Sequence, residues 1–158
     1  MFDGSVHFKH RRSFIANLEV APNLYPDIMG ILMRWRRNKI AWTADIEKTF
    51  LQIAIHPDHK QIVRFLCVED VTAIRPVVKD FIWKRLPFGL TSSPFILRAV
   101  LLKHLKQYET EFPGITESIL GQLYVDDWMG GADNPGTAKE QVIQTQQILD
   151  EAKFSLSK

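Results

Sequence analysis

Apolar and polar positions repeat with two different periods along the chain, and each change of period marks an element. In "YPDIMGILMRWRRNK" (Tyr25 to Lys39) the apolar residues Ile28, Ile31, Leu32 and Trp35 share the spacing of one helical face. Pro26 suits the first turn of that helix, Asp27 suits the positive end of its dipole, and basic residues crowd its C-terminal end. "KIAWTADI" then predicts a strand, "EKTFLQI" a short turn or helix, and "QIVRFLCV" a strand after the turn signal "HPDHK". "DFIWKRLPF" alternates and predicts another strand. "SSPFILRAVLLKHLKQYETEF" (Ser92 to Phe112) predicts a helix with Ser93 as N-cap and Pro94 at the first position. "SILGQLYV" and "DWMGGA" predict the two strands of a hairpin. "TAKEQVIQTQQILDEAK" predicts a helix opened by a capping box from Thr137 to Glu140. Strands mixed with helices, with one clear hairpin, point to an α+β fold with helices packed on one face of an antiparallel sheet.

Composition narrows the picture without redirecting it. A chain of 158 residues with 46% hydrophobic and 24% charged residues is one domain of ordinary globular make-up. The net charge of +2 is too small to argue for a nucleic-acid partner by itself. Basic residues nevertheless cluster: "FKHRR" and "MRWRRNK" hold seven of the 20 Lys and Arg. The single cysteine, Cys67, cannot form an internal disulfide, which favours a reducing, intracellular compartment. No signal peptide and no apolar run of membrane-spanning length appears, so no membrane partner is expected.

The candidate chemistry sits in "GQLYVDDWMGGA". Asp126 and Asp127 are adjacent like charges at the centre of the predicted hairpin. Successive strand side chains point to opposite faces, so two neighbours serve one site only where the backbone turns. Carboxylates gathered there would repel and call for a cation. A hard divalent ion such as Mg²⁺ takes oxygen ligands and keeps positions open for phosphates. A third carboxylate completes a two-metal site with ions about 4 Å apart. Asp45, at the end of "KIAWTADI", is the candidate. The residues alone leave blander readings open: a polar Asp-Asp turn, and Asp45 as a helix N-cap. The pairs His56–His59 and His7–His10 have metal-like spacing but lack a partner Cys cluster.

Three stretches together resemble the palm motifs of reverse transcriptases, in the order that family has them. "YVDD" (Tyr124 to Asp127) matches its Tyr-x-Asp-Asp motif, "TADIEKTFLQI" its first palm motif, and "RLPFGLTSSPFIL" its second. "FDGS", "NLYPDIMGILMRWR", "FGLTSSPF" and "GADNPGTA" look closest to the BEL/Pao group of long-terminal-repeat retrotransposons. The resemblance implies one fingers–palm domain over 1–158, with partial fingers over 1–40 and mainly palm over 41–158, including a possible fingers excursion. It implies that thumb and RNase H lie outside these residues, so the chain alone is expected to polymerise weakly or not at all.

The same resemblance implies the site. Asp45, Asp126 and Asp127 would be catalytic and, with the Ile46 carbonyl, would hold two Mg²⁺ ions, for which Mn²⁺ can substitute. Tyr124 would lie under the primer terminus. Phe50, Phe88 and Gly89 would line the nucleotide pocket, Phe50 as a steric gate against a ribose 2′-OH. Phe50 taken alone reads equally as a core aromatic. Phe88 stands where retroviral enzymes have Gln, so the hydrogen bond that Gln gives the nucleotide is missing. Arg34, Arg36, Arg37 and Lys39 are candidates for primer–template phosphates, or simply complement a helix C-terminus. The implied partners are an RNA or DNA template with primer, dNTPs, and the rest of a polyprotein: thumb, RNase H and integrase. The implied setting is cytoplasmic, in retroelement particles. A non-catalytic or relic nucleic-acid-binding palm is the alternative.

Overall fold

Strand β1 (Ile40–Ile46) organises the larger of two sheets. In this computed structural model, which describes residues 4–7, 9–72 and 74–157, it lies between β5 (Asp127–Ala132) and β6 (Leu156–Ser157). With β4 (Leu123–Tyr124) outside β5, the strand order is β4-β5-β1-β6, antiparallel throughout. Phe2 and Asp3 of "FDGS", Phe8 of the basic cluster and the terminal Lys158 lie outside the described residues.

The chain divides into two compact units. One takes the residues up to Val20 together with Phe50–Ser93. It contains a two-stranded ribbon of β2 (Arg64–Val68) and β3 (Val78–Ile82), with Val63, Leu86 and Leu90 buried near it in sequence. A single bridge, Ala54 to Arg85, ties the segment after α2 (Thr49–Gln52) to the chain beyond the ribbon. The Arg85 guanidinium adds a bond to the Gln52 carbonyl.

The second unit, Ala21–Thr49 with Pro94–Lys158, contains the four-stranded sheet, α1 (Ile28–Arg36), α4 (Pro113–Gln122), α5 (Pro135–Glu151) and nearly all of α3 (Ser93–Leu105). Leu97, Leu101 and Leu105 recur every four residues on α3 and are fully buried. Ile119, Leu123, Trp128, Ile148, Leu149 and Phe154 complete this core, and α4 and α5 pack on β5. Among the described residues no helix is long and apolar enough to cross a membrane.

Several boundaries differ from the sequence expectation, each for a local reason. Ser118–Gln122 is helix, not strand. Thr116, Ile119 and Leu123 are the buried positions, and their three-to-four spacing is helical. The long helix expected from Ser92 to Phe112 ends at Leu105, a 3₁₀ turn covers Lys106–Tyr108, and Pro113 opens the next helix. Asp27 is the N-cap of α1, accepting the Gly30 N–H at 2.8 Å, so Pro26 lies outside the helix. The last helix is capped by Asn134, which accepts the Thr137 N–H at 2.9 Å; Thr137 is inside it and no capping box forms there. Ser93 does not cap through its hydroxyl, which donates to the Pro87 carbonyl at 2.9 Å.

Candidate active site

Strand alternation puts the outer aspartates together. In the β1–β5 ladder Ala41 faces Gly131, Thr43 faces Met129 and Asp45 faces Asp127. Directly paired residues share a face, so these six line the more exposed side of the sheet. The other side carries Trp42, Ala44, Trp128, Gly130 and Ala132. There the Trp42 and Trp128 rings meet edge to face, 5.6 Å between centroids. Gly130 makes that arrangement possible, because a Cβ at this position would overlap the Trp42 indole. The ladder thus presents two carboxylates on one face while the opposite face anchors the strands.

Asp126 joins them through the turn. Tyr124 pairs with Asp127, leaving Val125 and Asp126 as a two-residue hairpin loop. Val125 has φ of 55°, a left-handed conformation that a β-branched residue adopts only under strain. Glycine is the usual residue at a hairpin-loop position with positive φ. The Asp126 carbonyl accepts the Ile46 N–H at 2.9 Å, which pins the loop beside the end of β1. Asp45, Asp126 and Asp127 therefore come from two adjacent strands and the loop between β4 and β5.

The electrostatics match that placement. Burial raises the Asp126 carboxyl above its usual range, and the charges of Asp45 and Asp127 raise it further, against a lowering hydrogen bond from its own backbone. Three hard oxygen donors carrying mutual repulsion suit a divalent cation such as Mg²⁺ or Mn²⁺ by chemistry and by charge. They are neighbours rather than a finished cage: among the described residues no three His, Cys, Asp or Glu side chains converge as ready ligands. The Ile46 carbonyl accepts the buried Thr49 hydroxyl at 2.5 Å, which leaves its second lone pair.

The remaining candidate residues fall in both units. Tyr124 sits on the edge strand, about one-third exposed, and its ring lies 5.8 Å from that of Tyr25. Arg34 donates to the Gly121 carbonyl at 2.9 Å. Arg36, Arg37 and Lys39 are exposed, and no ion pair among the described residues engages them. The last carbonyls of α1 are met by the Asn38 side chain, bonded to Arg34 and Trp35. In the other unit, Phe50 is buried and Phe88 is half exposed; their rings meet edge to face at 4.9 Å. Gly89 has φ of 87°, which a residue with a Cβ adopts only with strain.

Two residues escaped the sequence reading. Tyr25 donates its hydroxyl to the Pro94 carbonyl at 2.8 Å, and burial pushes its pKa up to about 12, with Arg98 lowering and Asp126 raising it. Arg98 is 4% exposed, and burial lowers its pKa. A lone arginine inside "FILRAVLL" was the available signal, whereas Tyr25 carries none.

The family comparison agrees with the fold. The model described as reverse transcriptase (RNA-dependent DNA polymerase) matches residues 3–158. Members of that family bind a primed nucleic-acid template and dNTPs and generally use divalent metal ions. The antiparallel sheet with its flanking helices is of the palm type such enzymes have. With the match running over nearly its whole length, this chain belongs to the reverse transcriptase (RNA-dependent DNA polymerase) family.

Proposed function

We propose that the chain carries the polymerase site of a retroelement reverse transcriptase, with Asp45, Asp126 and Asp127 as its catalytic carboxylates. The observation that carries this reading is the pairing of Asp45 with Asp127 on the exposed face, beside a loop whose Asp126 carboxyl is raised first by burial and then by both charges. Asp45 and Asp126 would hold two Mg²⁺ ions, with Asp127 assisting and the Ile46 carbonyl as a further donor. When bound, the ions would neutralise the triphosphate and acidify the primer 3′-hydroxyl. In the reaction the primer 3′-oxygen bonds to the α-phosphorus of the dNTP, its proton leaves to solvent, and the bond to pyrophosphate breaks.

The remaining assignments are part of the same proposal. Tyr124 supports the primer terminus from the edge strand. Phe50, Phe88 and Gly89 would take the nucleotide, with residues 1–40 as partial fingers and 41–158 as mainly palm. Exposed Arg36, Arg37 and Lys39 suit phosphate contacts, with strong salt dependence. Arg34 would add to them only by releasing its bond to Gly121. The source we favour is a BEL/Pao-like polyprotein copied in cytoplasmic particles. A primer grip and thumb would supply the primer clamp, and positioning of that kind accounts for about 7–11 kcal/mol of a barrier.

The test is metal response and nucleotide addition by the chain and by Asp45→Asn and Asp126→Asn. Mg²⁺ or Mn²⁺ should raise the parent Tm, because a ligand of the folded state stabilises it by mass action. Each variant should lose that response, and addition of one dNTP to a primer should fall by about 10³-fold or more. An unchanged metal response in both variants would overturn the site.

A further inference from the structure

The hairpin that carries Asp126 is fed directly by α4, and the end of that helix is held in an unusual way. The last carbonyls of a helix lack partners within it. Here the Leu123 N–H takes the Ile119 carbonyl. The next two carbonyls go to arginines distant in sequence: Leu120 to Arg98 Nη2 at 2.6 Å, and Gly121 to Arg34 Nη2 at 2.9 Å. Cations at a helix C-terminus also complement its dipole. Arg34 is exposed and belongs to the basic cluster, but Arg98 is almost wholly buried, and its Nε and Nη1 have no hydrogen-bond partner among the described residues.

A buried guanidinium with two unused donors is costly to keep. What faces it is an aromatic ring. The Arg98 guanidinium carbon lies 5.5 Å from the Tyr25 ring centroid, within range of a cation–π contact. Tyr25 is itself fixed at its far end by the bond from its hydroxyl to Pro94, one turn before Arg98 on α3. Its ring then meets Tyr124, tilted by 57°. Contacts therefore run from Arg98 to Tyr25 to Tyr124, the residue that enters the strained loop. A second path runs from Arg98 through Leu120 to the same strand.

We propose that Arg98 and Tyr25 are positioning residues that set the Asp126 loop through Tyr124 and the end of α4. Neither touches substrate; their role is to hold Val125 in its strained conformation and Asp126 at the end of β1. The inference rests on the reading of this loop as the active site for its functional meaning, but its structural content can be tested without metal, nucleic acid or activity.

The Ile46 amide reports the loop, because its partner is the Asp126 carbonyl; the neighbouring Glu47 amide is bonded to Ser155 and serves as an internal control. Hydrogen exchange of the two amides should be compared in the parent chain, Tyr25→Leu, Tyr25→Phe and Arg98→Met. Tyr25→Leu and Arg98→Met should speed Ile46 exchange by about tenfold, a typical coupling between contacting residues, and leave Glu47 unchanged. Tyr25→Phe keeps the ring but loses the bond to Pro94, so it should lie between Tyr25→Leu and the parent. Should Arg98→Met fail to fold, the double-mutant cycle of Tyr25→Leu with Tyr124→Leu decides: coupled effects on Ile46 exchange support the brace, and additive ones overturn it. Ile46 and Glu47 accelerating together, or Ile46 unchanged, would also overturn it. For a role in positioning, Tyr25→Leu should weaken Mn²⁺ binding and Tyr25→Phe should restore it in part. If Asp126→Asn leaves the metal response intact while the exchange result holds, the active-site reading fails and the brace stands.

Discussion

The molecule contains two antiparallel hairpins that differ in almost everything except their pairing. The β2–β3 ribbon joins its strands through a long connection, is the whole of its sheet, and leaves Leu66 74% exposed and Val78 58% exposed. Its surface carries an Arg64–Asp80 ion pair at 2.9 Å and a Lys79–Glu69 pair, beside stacked Phe65 and Phe81 rings. The β4–β5 hairpin turns in two residues, adds β1 and β6 to its sheet, and buries Leu123 and Trp128 completely. Two-stranded ribbons are marginal in water, whereas a sheet with one covered face is not. Exposed ion pairs add little to the ribbon. A strained loop whose Asp126 neighbours the carboxylates of Asp45 and Asp127 survives because the surrounding sheet supplies what the loop lacks.

That contrast predicts very different responses to the same loss of apolar volume. Leu97→Ala or Ile119→Ala, each fully buried in the sheet unit, should destabilise by about 2–5 kcal/mol. In a chain of this size that is a fall in Tm of about 2–4 °C per kcal/mol. Leu66→Ala in the ribbon should stay within about 0.5 kcal/mol. Thermal or urea melts of the three variants check this. A large loss from Leu66→Ala would show that the ribbon is a structural part of the fold and would dissolve the comparison.

The same contrast explains what could be read before the fold was seen. β1 and β5 were legible because one face of their sheet is covered, so burial alternates with the strand period. The first ribbon strand follows the turn signal "HPDHK", but alternation in "DFIWKRLPF" places the second too late, because β3 is exposed at four of its five positions and burial imposes no pattern on it. "SILGQLYV" was misread because a short apolar run does not distinguish a strand from the end of a buried helix. The three aspartates stand in short stretches, "YVDD" and "TADIEKTFLQI", that are each legible locally. Tyr25 and Arg98 matter only through contacts with residues 69 or more positions away or across separate elements. No periodicity or spacing announces such contacts.

A smaller effect tests whether the loop is strained by its surroundings. Val125 at φ of 55° costs about 1–2 kcal/mol relative to a relaxed residue. Glycine removes that cost but gives back about 0.5–1 kcal/mol in unfolded-state entropy. Val125→Gly should therefore raise stability slightly, by about 0.5–1 kcal/mol, seen as a small rise in urea midpoint at unchanged slope. A clear loss of stability would mean that the half-buried valine side chain contributes more than its backbone costs.

The smallest effect comes from Asp126 itself. Its carboxyl titrates above the usual 3.8 in the folded chain, mainly through burial and then through Asp45 and Asp127. A raised folded value means that the folded state holds the proton more tightly than the unfolded state does. The resulting stability is complete below 3.8 and is lost as pH rises through the folded value. At neutral pH the ionised Asp126 is therefore a liability in metal-free protein. Asp126→Asn should be as stable as the parent or more so at pH 7, and this advantage should shrink as the pH falls through the carboxylate range. Mg²⁺ reverses the sign, because a cation favours the ionised form and stabilises only the parent. Melts of both proteins from acid to neutral pH, with and without Mg²⁺, measure the crossing. A parent that is the more stable protein at pH 7 without metal would show that Asp126 is already compensated within the fold, and that the loop does not depend on a cation to offset its charge.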